Sequence, residues 1–166
     1  MKELQEILEK INSFAPGEKA ILATVVDVVG SGYRRPGARM LIDAEGYAVG
    51  TVSGGCLEAD VLEQAKKVLE TNEATVITYD TTKDENSLFG LGMGCRGIVR
   101  ILLEPVEKES EFFEFVSVGL KRRATFKAAT IVNPNKADLK VGSRIFQDEL
   151  NFSANNLSAD EILEIK

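Results

Sequence analysis

The chain has 166 residues, 44% hydrophobic and 28% charged, a globular balance with enough length to bury a real core. Its net charge of −6 is built from interleaved acidic and basic residues, which leaves no basic face for nucleic acid. No apolar run approaches the roughly 18 residues a membrane span needs. The sequence contains no histidine, so Ser-His and Cys-His nucleophile pairs and His-ligated metal sites are excluded. Two cysteines, Cys56 and Cys95, are too few for a disulfide framework. The charged start, Met1-Lys-Glu-Leu-Gln-Glu, has no apolar h-region, so a secretory signal is not expected. The expected location is the cytoplasm, with both cysteines as thiols.

Leu4, Ile7, Leu8 and Ile11 follow helical spacing and predict a first helix, ended by Ala15-Pro16-Gly17. Ala20 to Val29 is a β-branched apolar run and predicts a buried strand. Gly30-Ser-Gly-Tyr-Arg-Arg-Pro-Gly37 breaks it as an exposed loop. Arg39 to Asp43 and Tyr47 to Val52 flank Ala44-Glu-Gly46 and predict a hairpin. Ser53-Gly-Gly-Cys-Leu-Glu58 follows, and then Val61, Leu62, Ala65, Val68 and Leu69 at helical spacing. Thr75 to Tyr79 and Ile98 to Leu103 read as strands. The polar, glycine-rich stretch between them, Asp80 to Gly97, has a length that marks functional or disordered loops.

Further on, Phe112, Phe113, Val116 and Leu120 predict a helix and Ala128 to Val132 a strand. Ser158-Ala-Asp-Glu161 is a capping box opening a short final helix, Ile162 to Ile165. The expected class is α/β (α+β), a mixed sheet with flanking helices. A Rossmann domain is not expected, since no Gly-x-Gly-x-x-Gly follows a strand. The chain reads as one domain over 1–166, with a motif-bearing core at 1–105 and a second, repeat-like part at 109–166.

That second part echoes the first. Ala23-Thr-Val-Val26 matches Ala129-Thr-Ile-Val132, and Gly37-Ala-Arg-Met-Leu-Ile-Asp43 matches Gly142-Ser-Arg-Ile-Phe-Gln-Asp148. Ser53 and Ser158 lie at the same distance beyond. Chance similarity of two helix–strand–hairpin–helix units is one explanation. The preserved spacing favours an internal duplication whose second copy has lost the Gly-Gly-Cys turn.

Three loops carry candidate chemistry. In Ser53-Gly-Gly-Cys-Leu-Glu58 the glycines allow a tight strand-to-helix turn, with amides pointing outward at the helix start. A cysteine in the first helical turn feels the positive end of the dipole, which favours thiolate. A close-packed turn with an inert cysteine is the plain alternative. Gly90-Leu-Gly-Met-Gly-Cys-Arg-Gly97 exposes backbone amides as an anion cradle, and Arg96 beside Cys95 would stabilise thiolate or bind phosphate. The alternative is a glycine-rich connection. Arg34 and Arg35 fit bidentate recognition of phosphate or carboxylate, or a solvated turn. Both Gly-Cys loops lie at strand ends, so a β-α-β crossover would bring them to one edge.

In combination, Gly30-Ser-Gly-Tyr-Arg-Arg-Pro-Gly-Ala-Arg-Met-Leu41, Gly50-Thr-Val-Ser-Gly-Gly-Cys-Leu-Glu58, Gly92-Met-Gly-Cys-Arg-Gly97 and Glu104-Pro105 resemble the N-terminal domain of the XdhC/CoxI family. These are accessory factors of xanthine dehydrogenase and related molybdenum hydroxylases. The resemblance covers about residues 20 to 105. Two departures stand out: Ser53 replaces the third glycine before the cysteine, and Arg96 replaces a glycine after Cys95. The added cation would sharpen anion binding or fill part of a pocket. Many members continue into a nucleotide-binding Rossmann domain, so this chain is expected to be a short member or a fragment.

The resemblance implies a chaperone that binds molybdenum cofactor (molybdopterin), holds it during terminal sulfuration and passes it to a hydroxylase apoenzyme. It implies a carrier with no catalytic residue and no metal site of its own. Cofactor-binding candidates are Ser53, Gly54, Gly55, Cys56, Glu58, Gly94, Cys95, Arg96, Arg34 and Arg35. A cysteine desulfurase is a further candidate partner, and a homodimer is compatible; nucleic acid and membrane are not expected. The rival readings are a thiol-dependent sulfur-transfer or redox enzyme using Cys56 and Cys95, and a non-catalytic interaction module in which both cysteines only pack.

Overall fold

The computed structural model describes residues 2–82, 96–123, 125–134, 139–148, 152–155, 157–158 and 162. The chain forms two compact units, Met1–Glu107 and Lys108–Lys166. In the first unit the elements are α1 (Lys2–Asn12), β1 (Lys19–Gly30), β2 (Arg39–Asp43), β3 (Ala48–Gly50), α2 (Glu58–Thr71), β4 (Thr75–Asp80) and β5 (Gly97–Glu107). In the second they are α3 (Glu111–Arg122), β6 (Lys127–Thr130), β7 (Arg144–Gln147) and β8 (Phe152–Asn155). The α/β class read from the sequence is borne out. Among the described residues no helix is long and apolar enough to cross a membrane.

The first sheet has the order β3-β2-β1-β5-β4. Its neighbours all pair antiparallel, where a mixed sheet was expected. β1, β3 and β4 do run in one direction, but β2 and β5 separate them. The crossover through α2 therefore joins strands on opposite edges of the sheet and never makes a parallel pair.

β1 is the central strand because its apolar run suits burial on both faces. Alternate residues Ile21, Ala23 and Val25 form one cluster with Val61, Ala65 and Val68 of α2. The helix side of that cluster follows the i, i+4, i+7 stripe of an amphipathic helix. Ala20, Leu22 and Thr24 lie on the other face by the period of two, and they are buried as well. α1 buries Ile7, Leu8 and Ile11 and lies against β2 and β3. Lys10 of α1 meets the buried Asp43 at 2.9 Å, and Asp43 also accepts the Tyr47 amide at 2.8 Å. One carboxylate thus ties the helix to the β2–β3 turn.

The second unit has a three-stranded antiparallel sheet, β6-β7-β8. The Phe115 ring of α3 packs against Phe126 and Phe146, with centroids 5.4 and 4.9 Å away. The Arg144 guanidinium lies 4.5 Å from the centre of the Phe112 ring.

The echo seen in sequence recurs in the backbone. Both units run helix, strand, strand, strand, with the same antiparallel order. Thr24 pairs with Arg39, and the matching Thr130 pairs with Arg144. Three turn hydrogen bonds repeat: Val25 N to Ala38 O (2.9 Å), Gly37 N to Val25 O (2.8 Å) and Ala38 N to Arg35 O (3.1 Å). Their counterparts are Ile131 N to Ser143 O (2.9 Å), Gly142 N to Ile131 O (2.9 Å) and Ser143 N to Lys140 O (3.2 Å). The two loop glycines share left-handed backbone, φ +95° at Gly37 and +87° at Gly142. The following hairpins differ by one residue, since Met40 pairs with Gly50 but Ile145 with Ala154. Beyond Ser158, whose carbonyl accepts from Ile162 at 3.1 Å, the expected capping box and final helix fall mostly outside the described residues.

An L side chain in left-handed backbone costs about 1–2 kcal/mol. We therefore predict that Gly37→Ala and Gly142→Ala each lower stability by about that much, read from urea unfolding followed by circular dichroism. A cost at only one of the two positions would separate the turns and remove the structural equivalence.

Candidate functional site

Between β3 and α2 the chain folds around one carboxylate. Glu58, the first residue of α2, turns its side chain back over the residues before it. Oε1 accepts from the Thr51 hydroxyl at 2.5 Å and the Ser53 amide at 2.8 Å. Oε2 accepts from the Gly55 amide at 3.0 Å and from the Ser53 hydroxyl. Burial pushes this carboxyl up, but the bonds from Ser53 and Thr51 outweigh it and hold the group below its ordinary value.

Ser53 is the second hub. It is 4% exposed, and its Oγ accepts from the amides of Gly55 and Leu57, both at 3.1 Å. The Cys56 thiol approaches the same oxygen at 3.7 Å. Gly55 takes φ +106°, a conformation that favours glycine.

Two expectations are corrected by this geometry. Cys56 is not in the first helical turn: Leu57 is the N-cap and the helix begins at Glu58, so the thiol stands in the connecting turn. The amides of Ser53, Gly55 and Leu57 do not point outward; they face Ser53 Oγ and Glu58. The reason is that the turn contains its own anion. The Glu58 carboxylate takes up donors that would otherwise be offered to a ligand, and Asp60 adds a second acidic group in the first helical turn.

Cys56 is exposed and opens onto a shallow surface cleft. Val52, Leu57 and Val99 give the cleft its apolar lining; Ser31, Tyr33, Arg34, Ser53, Cys56 and Thr81 give the polar and aromatic lining. The cleft lies where β1, β3 and β4 all end, because these three strands run the same way.

The 30–37 loop reaches the cleft through its first half. Arg34 donates to the carboxylate of Glu3 on α1, and the other oxygen of Glu3 accepts the Arg39 amide at 3.0 Å. The first helix therefore sets the position of Arg34. Arg35 is exposed, and of the two arginines Arg34 lines the cleft. The third loop comes in through its end. The Arg96 carbonyl accepts the Ser31 amide at 3.0 Å, and the Thr81 hydroxyl donates to the Gly97 carbonyl at 2.8 Å and accepts its amide at 3.0 Å. Gly94 and Cys95 lie outside the described residues.

The structure thus brings Arg34, Ser53 and Cys56 together and seats Arg96 beside the same loop. It adds Ser31, Tyr33 and Thr81, which the sequence does not single out. Tyr33 had a signal, an aromatic residue directly before Arg34 in a glycine loop, and Ser31 stands in the same motif; Thr81 had none, since its place follows from where strands end. Among the described residues, no group of three His, Cys, Asp or Glu is arranged as a metal site.

A small antiparallel α/β unit that presents a thiol and an arginine on one sheet edge is what this geometry defines. Residues 13–80 match the sequence model of the XdhC and CoxI family. That match falls on the same stretch as the first two of the motifs that carry the resemblance. The chain is similar to a probable xanthine dehydrogenase component of Bacillus subtilis (strain 168), 39% identical over 92 residues, or 55% of this chain and 28% of that protein. It is also similar to the molybdenum cofactor insertion chaperone PaoD of Escherichia coli (strain K12), 28% identical over 93 residues, 56% of this chain and 28% of that one. A crystal structure of a xanthine dehydrogenase from Bacillus halodurans superposes with a TM-score of 0.76 at 27% identity, covering 99% of this chain and 47% of the other. The chain thus spans less than a third of the curated relatives and about half of the solved one.

The Glu58 network predicts a pH effect with a fixed sign. A carboxyl held below its ordinary value stabilises the fold above the unfolded pKa, near 4.5, and loses that contribution as pH falls through the folded value. Stability measured from pH 7 downward should therefore drop below about pH 4.5, and Glu58→Gln should flatten that part of the curve. Glu58→Ala should cost about 2 kcal/mol at neutral pH. A pH profile identical in wild type and Glu58→Gln would contradict the network.

Proposed function

We propose that this unit binds molybdenum cofactor as cargo and serves the maturation of a molybdenum hydroxylase, as a carrier and not a catalyst. The observation that carries the reading is the exposed Cys56 thiol and Arg34 lining one cleft, with the Arg34 guanidinium held from one side by Glu3. The cofactor combines a phosphate, a dithiolene sulfur pair and a metal. A thiolate is the soft ligand suited to molybdenum and its sulfur. A guanidinium is suited to phosphate. The residues present therefore fit the cargo, with Cys56 toward its metal end and Arg34 toward its phosphate.

Within this reading Ser53 and Glu58 act on the turn and Gly54 and Gly55 give it its shape, so that Cys56 is presented in one place. Arg96 lies beside Ser31 and supplies a second cation, while Gly94 and Cys95 complete the set from outside the described residues. The kinship with the PaoD insertion chaperone supports a hydroxylase apoenzyme as receiving partner. A cysteine desulfurase as sulfur donor, a homodimer and a cytoplasmic setting belong to the same proposal.

The test is mass spectrometry of the native protein purified without oxygen from cells that make the cofactor. The wild type should carry the pterin cofactor. Cys56→Ser should lose at least about tenfold in affinity, while its thermal midpoint stays within the few degrees that correspond to roughly 1 kcal/mol. Full binding by Cys56→Ser, or a bound nucleotide in place of the pterin, would overturn the assignment. Retained binding with lost sulfuration would point to the thiol-dependent enzyme.

A further inference from the structure

The cleft carries one aromatic side chain, and it is largely exposed. Tyr33 is 71% exposed, and it lines the cleft together with Arg34 and Cys56. The ring is nevertheless held. A Cβ built on Gly54 would lie 2.9 Å from both Cγ and Cδ2 of Tyr33 and 3.1 Å from Cδ1. A point almost equidistant from these three atoms sits over the face of the ring and not beside its edge. Gly54 therefore faces one side of the ring, at a spacing that a Cβ at this position would not permit unless the ring moved.

The backbone leading into the ring is also confined. A Cβ on Gly32 would come within 2.6 Å of Val28 Cγ1, and the Ser31 amide is fixed on the Arg96 carbonyl at 3.0 Å. Tyr33 is thus a largely exposed ring with one face against glycine, lining the cleft with Arg34 and Cys56. An aromatic side chain gains by covering apolar area and by stacking on another flat ring. Pre-placing it on a rigid support lowers the ordering cost of binding.

We infer that Tyr33 is the stacking platform of the cleft, taking the flat heteroaromatic ring of a pterin on its open face while Arg34 and Cys56 receive the polar end of the same ligand. The assignment rests on the cargo reading of this cleft and extends it to a motif residue that was not among the binding candidates. It also gives Gly54 a role distinct from that of Gly55. Gly55 supplies a positive φ, whereas Gly54 supplies a bare surface for the ring.

The protein reports on this itself, because it has no tryptophan and three tyrosines. Of the other two, Tyr79 is buried with its hydroxyl on Asp60 at 2.6 Å, and Tyr47 sits by the β2–β3 turn. The experiment titrates the full chain with 6-hydroxymethylpterin, a pterin without phosphate, and follows pterin and tyrosine fluorescence. Stacking on an aromatic side chain is worth about 1–3 kcal/mol for a nucleobase, so Tyr33→Leu should weaken pterin binding about ten- to a hundredfold. Tyr33→Phe and Tyr33→Trp should stay within about threefold of wild type, since both keep a face. The rate of Cys56 alkylation should be the same in all four proteins, which shows the turn intact.

Wild-type pterin affinity in Tyr33→Leu would overturn the inference, and so would a loss in Tyr33→Phe equal to that in Tyr33→Leu, which would assign the effect to the hydroxyl. If wild type retains the intact cofactor and Tyr33→Leu retains it equally, stacking is wrong and the cargo reading stands. If wild type takes up neither pterin nor cofactor, the cargo reading falls and this inference with it.

Discussion

The Glu58 carboxylate gathers four donors, from Thr51, Ser53 and Gly55, before the helix it opens has begun. Partly buried polar groups must find partners, and a turn this rich in glycine has little side-chain packing to hold it. The carboxylate and the Ser53 hydroxyl hold it together. They fix the backbone of 53–57, and with it the place where the Cys56 thiol meets solvent. Everything proposed for the cleft depends on that fixed turn.

The rest of the cleft is assembled around it from distant sequence. β1, β3 and β4 end on one side of the sheet, which brings the loops after Gly30, Gly50 and Asp80 to a common edge. α1 reaches over through Glu3 and positions Arg34. Ser31 anchors on Arg96, and Thr81 on Gly97. The antiparallel order is what makes this possible, since strands running the same way are spaced across the whole sheet and the loops can converge without crowding.

Much of the fold was legible in the residues. The stripe Val61, Ala65, Val68 marks α2, the apolar run from Ala20 marks the central strand, and Gly37 and Gly142 mark equivalent turns. The direction of pairing was not legible, because it depends on which edge α2 crosses to, and a helix of this length reaches either. In the site, Cys56 and Arg34 were found from motif chemistry. The inward use of amides was missed because Ser53-Gly-Gly-Cys-Leu-Glu58 reads locally as an open helix start. Only the fold shows Glu58 bending back to fill it. Arg34 and Arg35 look like a pair in sequence, and it is Glu3, some thirty residues away, that holds Arg34. Tyr33 carries no periodic signal; its role follows from the bare backbone of Gly54 beneath it.

The central claim is that the Cys56–Arg34 cleft is where molybdenum cofactor sits. The most direct measurement is the rate of Cys56 alkylation by iodoacetamide, followed by peptide mass spectrometry under anaerobic conditions, with and without cofactor released from a molybdoenzyme. Cofactor should slow labelling of Cys56 by at least about tenfold in wild type, and by much less in Arg34→Ala, which removes the proposed phosphate contact. An unchanged labelling rate at saturating cofactor would contradict the account.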